Sequence, residues 1–345
     1  MPPQFDTTPE KEGSIGGFLY RQLTVTPEEV SGVSLTGKTA VVTGANTGCG
    51  LEVARQLLDL GVSRLILAVR DEEKGNKAAA GLKQDRNIES SVIEVWKLDL
   101  DDYASVVAFA ERTNTLERLD IAVLNAGLFL TQLETSKTTG HDRVIQVNYL
   151  STVLLLSLLL PVVSNKRQNQ NGPTRITLTS SDVAAWTAFK EQKAVPLLPA
   201  LDSFEGAVPL DRMMVSKLLG QFFLAELARR VPASVATINC ATPGMLYGSD
   251  FNRQMRGTIS GKLVGLWGRL IGYSAAVGAR NITDAAVRHG EESHGQYLST
   301  QKIKPMAPIL YSEEGRRISE QLWKETMAEF AFAGVEETIA RLSTA

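Results

Sequence analysis

The apolar run Ala40-Val41-Val42 leads into Thr43-Gly44-Ala45-Asn46-Thr47-Gly48-Cys49-Gly50, and a helical stretch follows from Leu51 to Leu60. A strand, a glycine turn and a helix in that order confine the chain to a small set of α/β folds. Glycines at 44, 48 and 50 permit a tight turn and let another group approach the backbone where a Cβ would otherwise stand. The helix that opens there offers unpaired N–H groups to an anion. The stretch reads as a pyrophosphate cradle, with Gly44, Asn46, Thr47, Gly48 and Gly50 as its binding candidates. Arg70 stands twenty residues past Gly50 and ends the second strand-like run, Arg64 to Val69.

From Lys38 the pattern alternates. Strand-like runs at Thr39–Thr43, Arg64–Val69, Ile93–Leu98 and Ile121–Leu124 are separated by helical runs at Gly48 to Leu60, Glu72–Leu82 and Asp102–Arg112. A long helix around Val144 to Val163, a strand Arg175–Thr179, an irregular stretch from Asp182 to Pro209, a helix Asp211 to Arg230 and a strand Val235–Cys240 follow. Repeated βα units predict a doubly wound parallel sheet with helices on both faces, a three-layer α/β sandwich of Rossmann type in a single domain. Gly61 reads as the C-cap of the first helix, and Asp71 or Asp101 as N-caps after their strands. Residues 1–35 form an N-terminal extension, expected to be loosely structured and anchored by Phe18-Leu19-Tyr20. Residues 36–300 make the body. The C-terminal extension, 301–345, carries a helix from Glu313 to Phe332 and follows a short strand near Gln296–Ser299.

Composition narrows the function classes. The 345 residues are 43% hydrophobic with a net charge of −2, which supports one large core and gives no basic excess for nucleic acid. Two cysteines, Cys49 and Cys240, argue against a disulfide framework and for a reducing compartment. His141, His289 and His294 form no metal-ligand spacing, so no metal is expected. The N-terminus lacks the apolar segment of a secretory signal. The longest apolar run, Thr152 to Val163, is too short to span a bilayer. A cytoplasmic protein is the expectation, and a helix apolar nearly all round also suits a subunit interface, so an oligomer is expected.

Ligands of a doubly wound sheet bind at the carboxyl ends of its strands. Those ends carry Thr43-Gly44, Arg70, Asp99-Leu100, Asn125-Ala126-Gly127, Ser180-Ser181 and Pro243-Gly244. An acid at position 70 would hold the ribose hydroxyls of NAD. A guanidinium suits a 2′-phosphate instead, which favours NADP(H), the alternative being a solvated arginine beside Asp71 and Glu72. Asp99 can accept from the adenine amino group or cap a helix.

Thr43-Gly44-x-x-x-Gly48-x-Gly50, Leu124-Asn125-Ala126-Gly127, Asn148, Ser181 and Ser216-Lys217, in this order, resemble the short-chain dehydrogenase/reductase family over residues 36 to about 300. The segment Asp211-Arg212-x-x-Val215-Ser216-Lys217-Leu218-Leu219 resembles fungal members from natural-product pathways. The resemblance implies hydride transfer between NADP(H) and a small carbonyl or alcohol, in a homodimer or homotetramer. Carried over, Asn148 would hold the active-site helix and a water, and Ser181 would hydrogen-bond the substrate oxygen. Lys217 would bind the nicotinamide ribose, while Pro243 and Gly244 would flank the nicotinamide.

One position departs from the pattern. The family's acid/base tyrosine lies four residues before the lysine, where this chain has Met213 followed by Met214. A thioether has no proton to give, and general acid–base help is worth about 10²–10⁴ in rate. Tyr149, Tyr247 and Asp182 are the candidate replacements; Tyr149 should point about 100° from Asn148 on a helix, and Tyr247 lies on the substrate side. Three readings follow: reduction of an iminium or enone that needs no tyrosine, a non-redox cyclase or isomerase that orients its substrate, or a binding protein without catalysis. The segment Asp250 to Tyr273 repeats apolar residues at helical spacing, as a substrate lid or a packed helix would. As a lid it implies a sizeable, largely apolar substrate.

Overall fold

The computed structural model describes residues 5–84, 86, 92–247, 265 and 268–343. In Thr39–Thr43 (β1), Val41 joins the core on one sheet face while Ala40 and Val42 join the core on the other. In Arg64–Val69 (β2), Ile66 and Ala68 alternate in the same way with Leu65, Leu67 and Val69. Successive side chains leave a strand on opposite faces, so a strand that is apolar throughout needs cover on both. Ile93–Lys97 (β3), Ile121–Leu124 (β4), Thr174–Thr179 (β5), Ala236–Ala241 (β6), Tyr297–Ser299 (β7) and Lys302–Lys304 (β8) complete one sheet in the order β3-β2-β1-β4-β5-β6-β7-β8. All neighbours pair in parallel except the antiparallel β7 and β8.

A first helix, Ile15–Thr24 (α1), precedes the sheet. Gly48–Asp59 (α2) and Glu72–Gln84 (α3) cover one face; Tyr103–Thr113 (α4), Ser151–Lys166 (α5) and Pro209–Arg230 (α6) cover the other. Ala275–Val287 (α7) returns to the first face, and Glu313–Glu329 (α8) and Val335–Leu342 (α9) pack on the second. The doubly wound sandwich expected from the βα alternation is therefore what the chain forms. Gly61, at φ +83°, follows α2 as expected, and Asp71 caps α3 by accepting from the Lys74 N–H at 3.2 Å.

Several expectations are corrected. Asp101 does not cap α4; Asp102 does, accepting from the Ala104 N–H at 2.9 Å, while Asp101 accepts from Arg143 Nε at 2.7 Å. Within the N-terminal extension, residues 14–24 are not loose, since Ser14 caps α1 and buried Phe18 docks it on Trp186. Residue 300 is no boundary, because β8 lies beyond it and pairs with β7. The helix expected from Glu313 to Phe332 ends at Glu329 and is followed by α9. Of the expected lid, only 265 and 268–273 are described, and Phe251, Met255, Leu263, Leu266 and Trp267 lie outside the described residues.

The long apolar helix is longer than its apolar run. Helical turns continue over Arg143–Asn169, which by length and composition reaches membrane-spanning dimensions, yet 83% of its most apolar window is buried inside the protein. Its outer side meets the chain's own C-terminal helices. Tyr149 Oη shares a 2.7 Å hydrogen bond with Thr326 on α8, and Trp323 of α8 stacks on Phe223 of α6. The apolar surface that suggested a subunit interface is thus occupied within one chain.

His141 ties this layer together, with Nδ1 2.8 Å from Asp202 and Nε2 3.1 Å from Glu329. The Asp202 carboxylate, then Glu329, raise its pKa from 6.5 to about 9. A raised histidine pKa stabilises the fold below its unfolded value and loses that contribution as pH climbs through the folded one. The melting-temperature gap between wild type and His141→Gln should be widest at about pH 6 and close by about pH 10, as read by calorimetry across that range.

Candidate active site

The strand order reverses between β1 and β4, and their carboxyl ends are stitched together. Ala126 N–H donates to Thr43 Oγ1 at 2.9 Å, and Asn125 Nδ2 donates to the Thr43 carbonyl at 3.1 Å. Gly44 and Gly48 adopt φ of +65° and +58°, a left-handed backbone that side chains disfavour. Gly50 is excluded from substitution by contact instead, since a Cβ there would lie 2.4 Å from Asn125 Nδ2 and 2.6 Å from the Gly44 oxygen. Thr47 precedes α2 in extended backbone, with no side-chain cap hydrogen bond to the helix. The backbone of this turn is shaped to receive an anion.

Arg70 is exposed at the end of β2. Its neighbour Asp71 is engaged by Lys74 at 2.9 Å, which removes the nearest competitor for the guanidinium. Asp99 Oδ1 accepts from the Asp101 N–H at 3.1 Å within the turn before α4, whose cap is Asp102, so Asp99 does not act as the helix cap; Leu100 beside it is buried.

Asn148 lies in a π-helical turn, Gln146–Leu150, that joins the start of this helix to α5. Such turns displace one residue from regular helical register and recur at functional sites. Here the displacement points Asn148 at the loop after β4. Its Oδ1 accepts from Leu128 N–H at 2.8 Å, and its Nδ2 donates to the Leu128 carbonyl at 2.9 Å and to Ser216 Oγ at 3.0 Å. Ser216 Oγ in turn donates to the Met213 carbonyl at 2.6 Å. Every polar group of the amide that faces protein is used, and Gly127 packs against it: a Cβ there would stand 3.2 Å from Asn148 Oδ1 and 3.8 Å from Lys217 Nζ.

Lys217 Nζ donates to the Thr179 carbonyl at 2.8 Å, just before Ser180 and Ser181. Loss of water around the ammonium lowers its pKa from 10.5 to about 8. Asn148, Thr152, Ser180, Ser216, Lys217 and Cys240 surround a cavity of about 20 Å³, room for about one water molecule. Ser181 Oγ accepts from the Val183 N–H at 3.4 Å and opens the short turn Asp182–Ala185.

Met213 sits on α6 one turn before Lys217 and is 8% exposed, packed with Phe129, Leu130 and Val144. The three replacement acids are placed differently from one another. Tyr149 is buried with its hydroxyl on Thr326, away from the crevice. Asp182 is held by Arg21 at 2.9 Å through one oxygen and accepts from Thr242 Oγ1 at 2.7 Å through the other. Tyr247 is 42% exposed. Pro243 and Gly244 follow β6, with Gly244 at φ +73° and its N–H donating to Thr242 Oγ1 at 3.1 Å. Arg21 and Gln22 of α1 also reach this end of the site, which the sequence reading missed. Their signal was a capped helix, with Ser14 ahead of Gly17 and Phe18 and Gln22 four residues apart.

The sequence profile described as short chain dehydrogenase matches residues 38–189. Short-chain dehydrogenase fogG of Aspergillus ruber is 45% identical over 351 residues, spanning 99% of this chain and 100% of that protein. This chain belongs to the short-chain dehydrogenase/reductase family. Short chain dehydrogenase/reductase mfmJ of Annulohypoxylon moriforme is 40% identical over 89% of this chain and 88% of that one. Among solved structures, the Pseudomonas aeruginosa RhlG/NADP active-site complex shares the fold at a TM-score of 0.56, with 23% identity over 77% of this chain and 95% of that one. Members of this oxidoreductase family bind a nicotinamide cofactor, and the glycine turn of this short-chain dehydrogenase/reductase has the shape for one.

The turn's packing gives a direct check. Gly50→Ala should cost about 1–3 kcal/mol through overpacking. Gly81→Ala, on α3 where a Cβ meets nothing within 4 Å, should stabilise by about 0.5–1 kcal/mol. Denaturant unfolding of the two variants beside wild type reads both signs.

Proposed function

We propose that this protein is an NADP(H)-dependent oxidoreductase of secondary metabolism that reduces an imine, an enone or a carbonyl in a sizeable, largely apolar molecule, with a proton source other than tyrosine. The turn Gly44–Gly50, with Asn46 and Thr47, would receive the pyrophosphate. Arg70 would pair with the 2′-phosphate, and Asp99 and Leu100 would border the adenine. Asn125, Ala126, Gly127 and Lys217 would line the ribose nearer the reacting carbon, and Pro243 and Gly244 the nicotinamide. When bound, the reduced cofactor supplies a hydride. Relatives named short-chain dehydrogenases in fungi and a fold relative described as an NADP complex support this reading.

The observation that carries it is the seat of Met213. The thioether closes an apolar cluster at the place from which a tyrosine would protonate a carbonyl oxygen, while Lys217 and Asn148 keep their positions. Without that donor, hydride acceptance is easiest where no heteroatom needs a proton at once. An iminium carbon meets this condition, because its product is a neutral amine. Conjugate addition to an enone meets it too, because the enolate can take its proton from water. Ser181 would orient the acceptor, and Lys217, with a pKa of about 8, would hold positive charge beside it at neutral pH.

Two variants test the two halves of the proposal. Arg70→Ala should weaken NADPH binding by about tenfold to a hundredfold, the worth of a charged hydrogen bond, and leave NADH binding unchanged by calorimetry. Met213→Tyr should confer reduction of simple ketones at about 10²–10⁴ times the wild-type rate. Equal loss of both nucleotides, or a tyrosine variant inert toward ketones, would speak against the assignment. Turnover of a substrate at equal rate without cofactor would establish the cyclase or isomerase reading instead.

A further inference from the structure

Residues ahead of β1 reach across more than two hundred positions of sequence to the far end of the crevice. Helix α1 is capped by Ser14, whose Oγ accepts from the Gly17 N–H at 2.9 Å. Its docked side carries Phe18, edge-on to Trp186 with ring centroids 5.0 Å apart, and Trp186 Nε1–H donates to the Gly13 carbonyl at 2.8 Å. Its other side leaves Ile15, Tyr20 and Leu23 exposed.

Two polar side chains of α1 are spent on the loops of the site. Arg21, whose side chain is 11% exposed, pairs with Glu12 at 3.1 Å and with Asp182 at 2.9 Å. Asp182 also accepts from Thr242 Oγ1 at 2.7 Å, and that same Oγ1 accepts from the Gly244 N–H at 3.1 Å. The carboxylate thereby fixes the direction of the Thr242 hydroxyl, and the hydroxyl fixes the glycine. Gln22 is buried alongside; its Oε1 accepts from the Met245 N–H at 3.0 Å, and its Nε2 donates to the Ile271 carbonyl at 2.9 Å and the Met245 carbonyl at 3.3 Å. A Cβ on Gly244 would lie 2.8 Å from Gln22 Oε1, so helix and loop are in contact without a gap.

We propose that α1 forms the outer wall of the nicotinamide end of the site, with Arg21 and Gln22 as positioning residues that hold the Ser181-Asp182 turn and the Thr242–Met245 loop in one arrangement. This rests on the cofactor reading above, in which Ser181 and Pro243-Gly244 stand at the reacting end. Packing alone does not require such a network, because buried ion pairs stabilise a fold no better than apolar residues of the same volume. Directed hydrogen bonds in a low-dielectric setting do what apolar contact cannot: they select one orientation of each partner. The relay runs from a charged pair to a backbone N–H of the loop.

The test uses the full chain and two probes, NADPH and adenosine 2′,5′-bisphosphate, which lacks the nicotinamide half. Arg21→Ala and Gln22→Ala should each weaken NADPH by about tenfold, the effect of one charged or fully buried hydrogen bond, while the bisphosphate binds as it does to wild type. Arg21→Lys should recover part of the loss, and Tyr20→Ala on the exposed side should bind both probes normally. Hydrogen exchange supplies a second readout that needs no ligand: the Gly244 and Met245 amides, protected in wild type, should exchange faster in both alanine variants. Should Arg21→Ala fail to fold, Gln22→Ala carries the same prediction. Equal weakening of both probes, or undiminished NADPH affinity with unchanged exchange, overturns the proposal. Wild type that binds neither probe overturns the cofactor reading, and the exchange rates at 244 and 245 then decide by themselves whether α1 positions the loop.

Discussion

Where β1 and β4 part, two parallel strands send their chains to opposite faces of one sheet, and the gap they leave has to be held open. Thr43 does this with both of its oxygens, the hydroxyl taking the Ala126 N–H and the carbonyl taking the Asn125 amide. Asn125 is then close enough to Gly50 that only a glycine fits. The glycine turn, the start of α2 and the loop leading to Leu128 are consequently set relative to one another before any ligand arrives. Asn148 extends the same arrangement to α6 through Leu128 and Ser216, and Lys217 closes it onto the Thr179 carbonyl.

Beside this frame stands Met213. The hydrogen bonds around it are backbone and neighbour contacts that do not involve its side chain, and the thioether packs with Phe129, Leu130 and Val144 as a hydrophobe would. Lys217 has no phenol at position 213 beside it, and its Nζ is held by the Thr179 carbonyl. The proposed chemistry leans to iminium and conjugate acceptors because their carbon can take a hydride without a heteroatom needing a proton at once.

The fold was legible because its determinants are local. Strand–turn–helix periodicity, Gly61 after α2 and the spacing of apolar residues each act within a few positions, and each appears where expected. The strand-end residues were legible for the same reason, since a doubly wound sheet gathers them at one edge. What escaped is decided at a distance. Nothing near Asn148 announces a π turn, and the partner Asn148 meets there, Leu128, lies twenty residues away. Asp182 was a candidate source of protons, and its ion pair is with Arg21, 161 residues earlier. Asp101 and Asp102 compete for one cap, and the ion pair of Asp101 with Arg143 settles the choice. The apolar helix suggested a partner subunit because periodicity cannot say what covers a face; α8 and α9 cover it.

The central claim is that hydride chemistry persists here without the tyrosine, and isotope transfer tests it most directly. Wild-type protein would be incubated with NADPH carrying deuterium at the transferring carbon, together with a panel of cyclic iminium ions, enones and the matching ketones, and the products read by mass spectrometry. Deuterium on carbon in amine or saturated-ketone products, with the simple ketones left unreduced, is the predicted result. Efficient labelling of the alcohols would place the carbonyl route, with another acid in the site, ahead of the iminium and enone routes, and bound NADPH with no label in any product would contradict the redox reading itself.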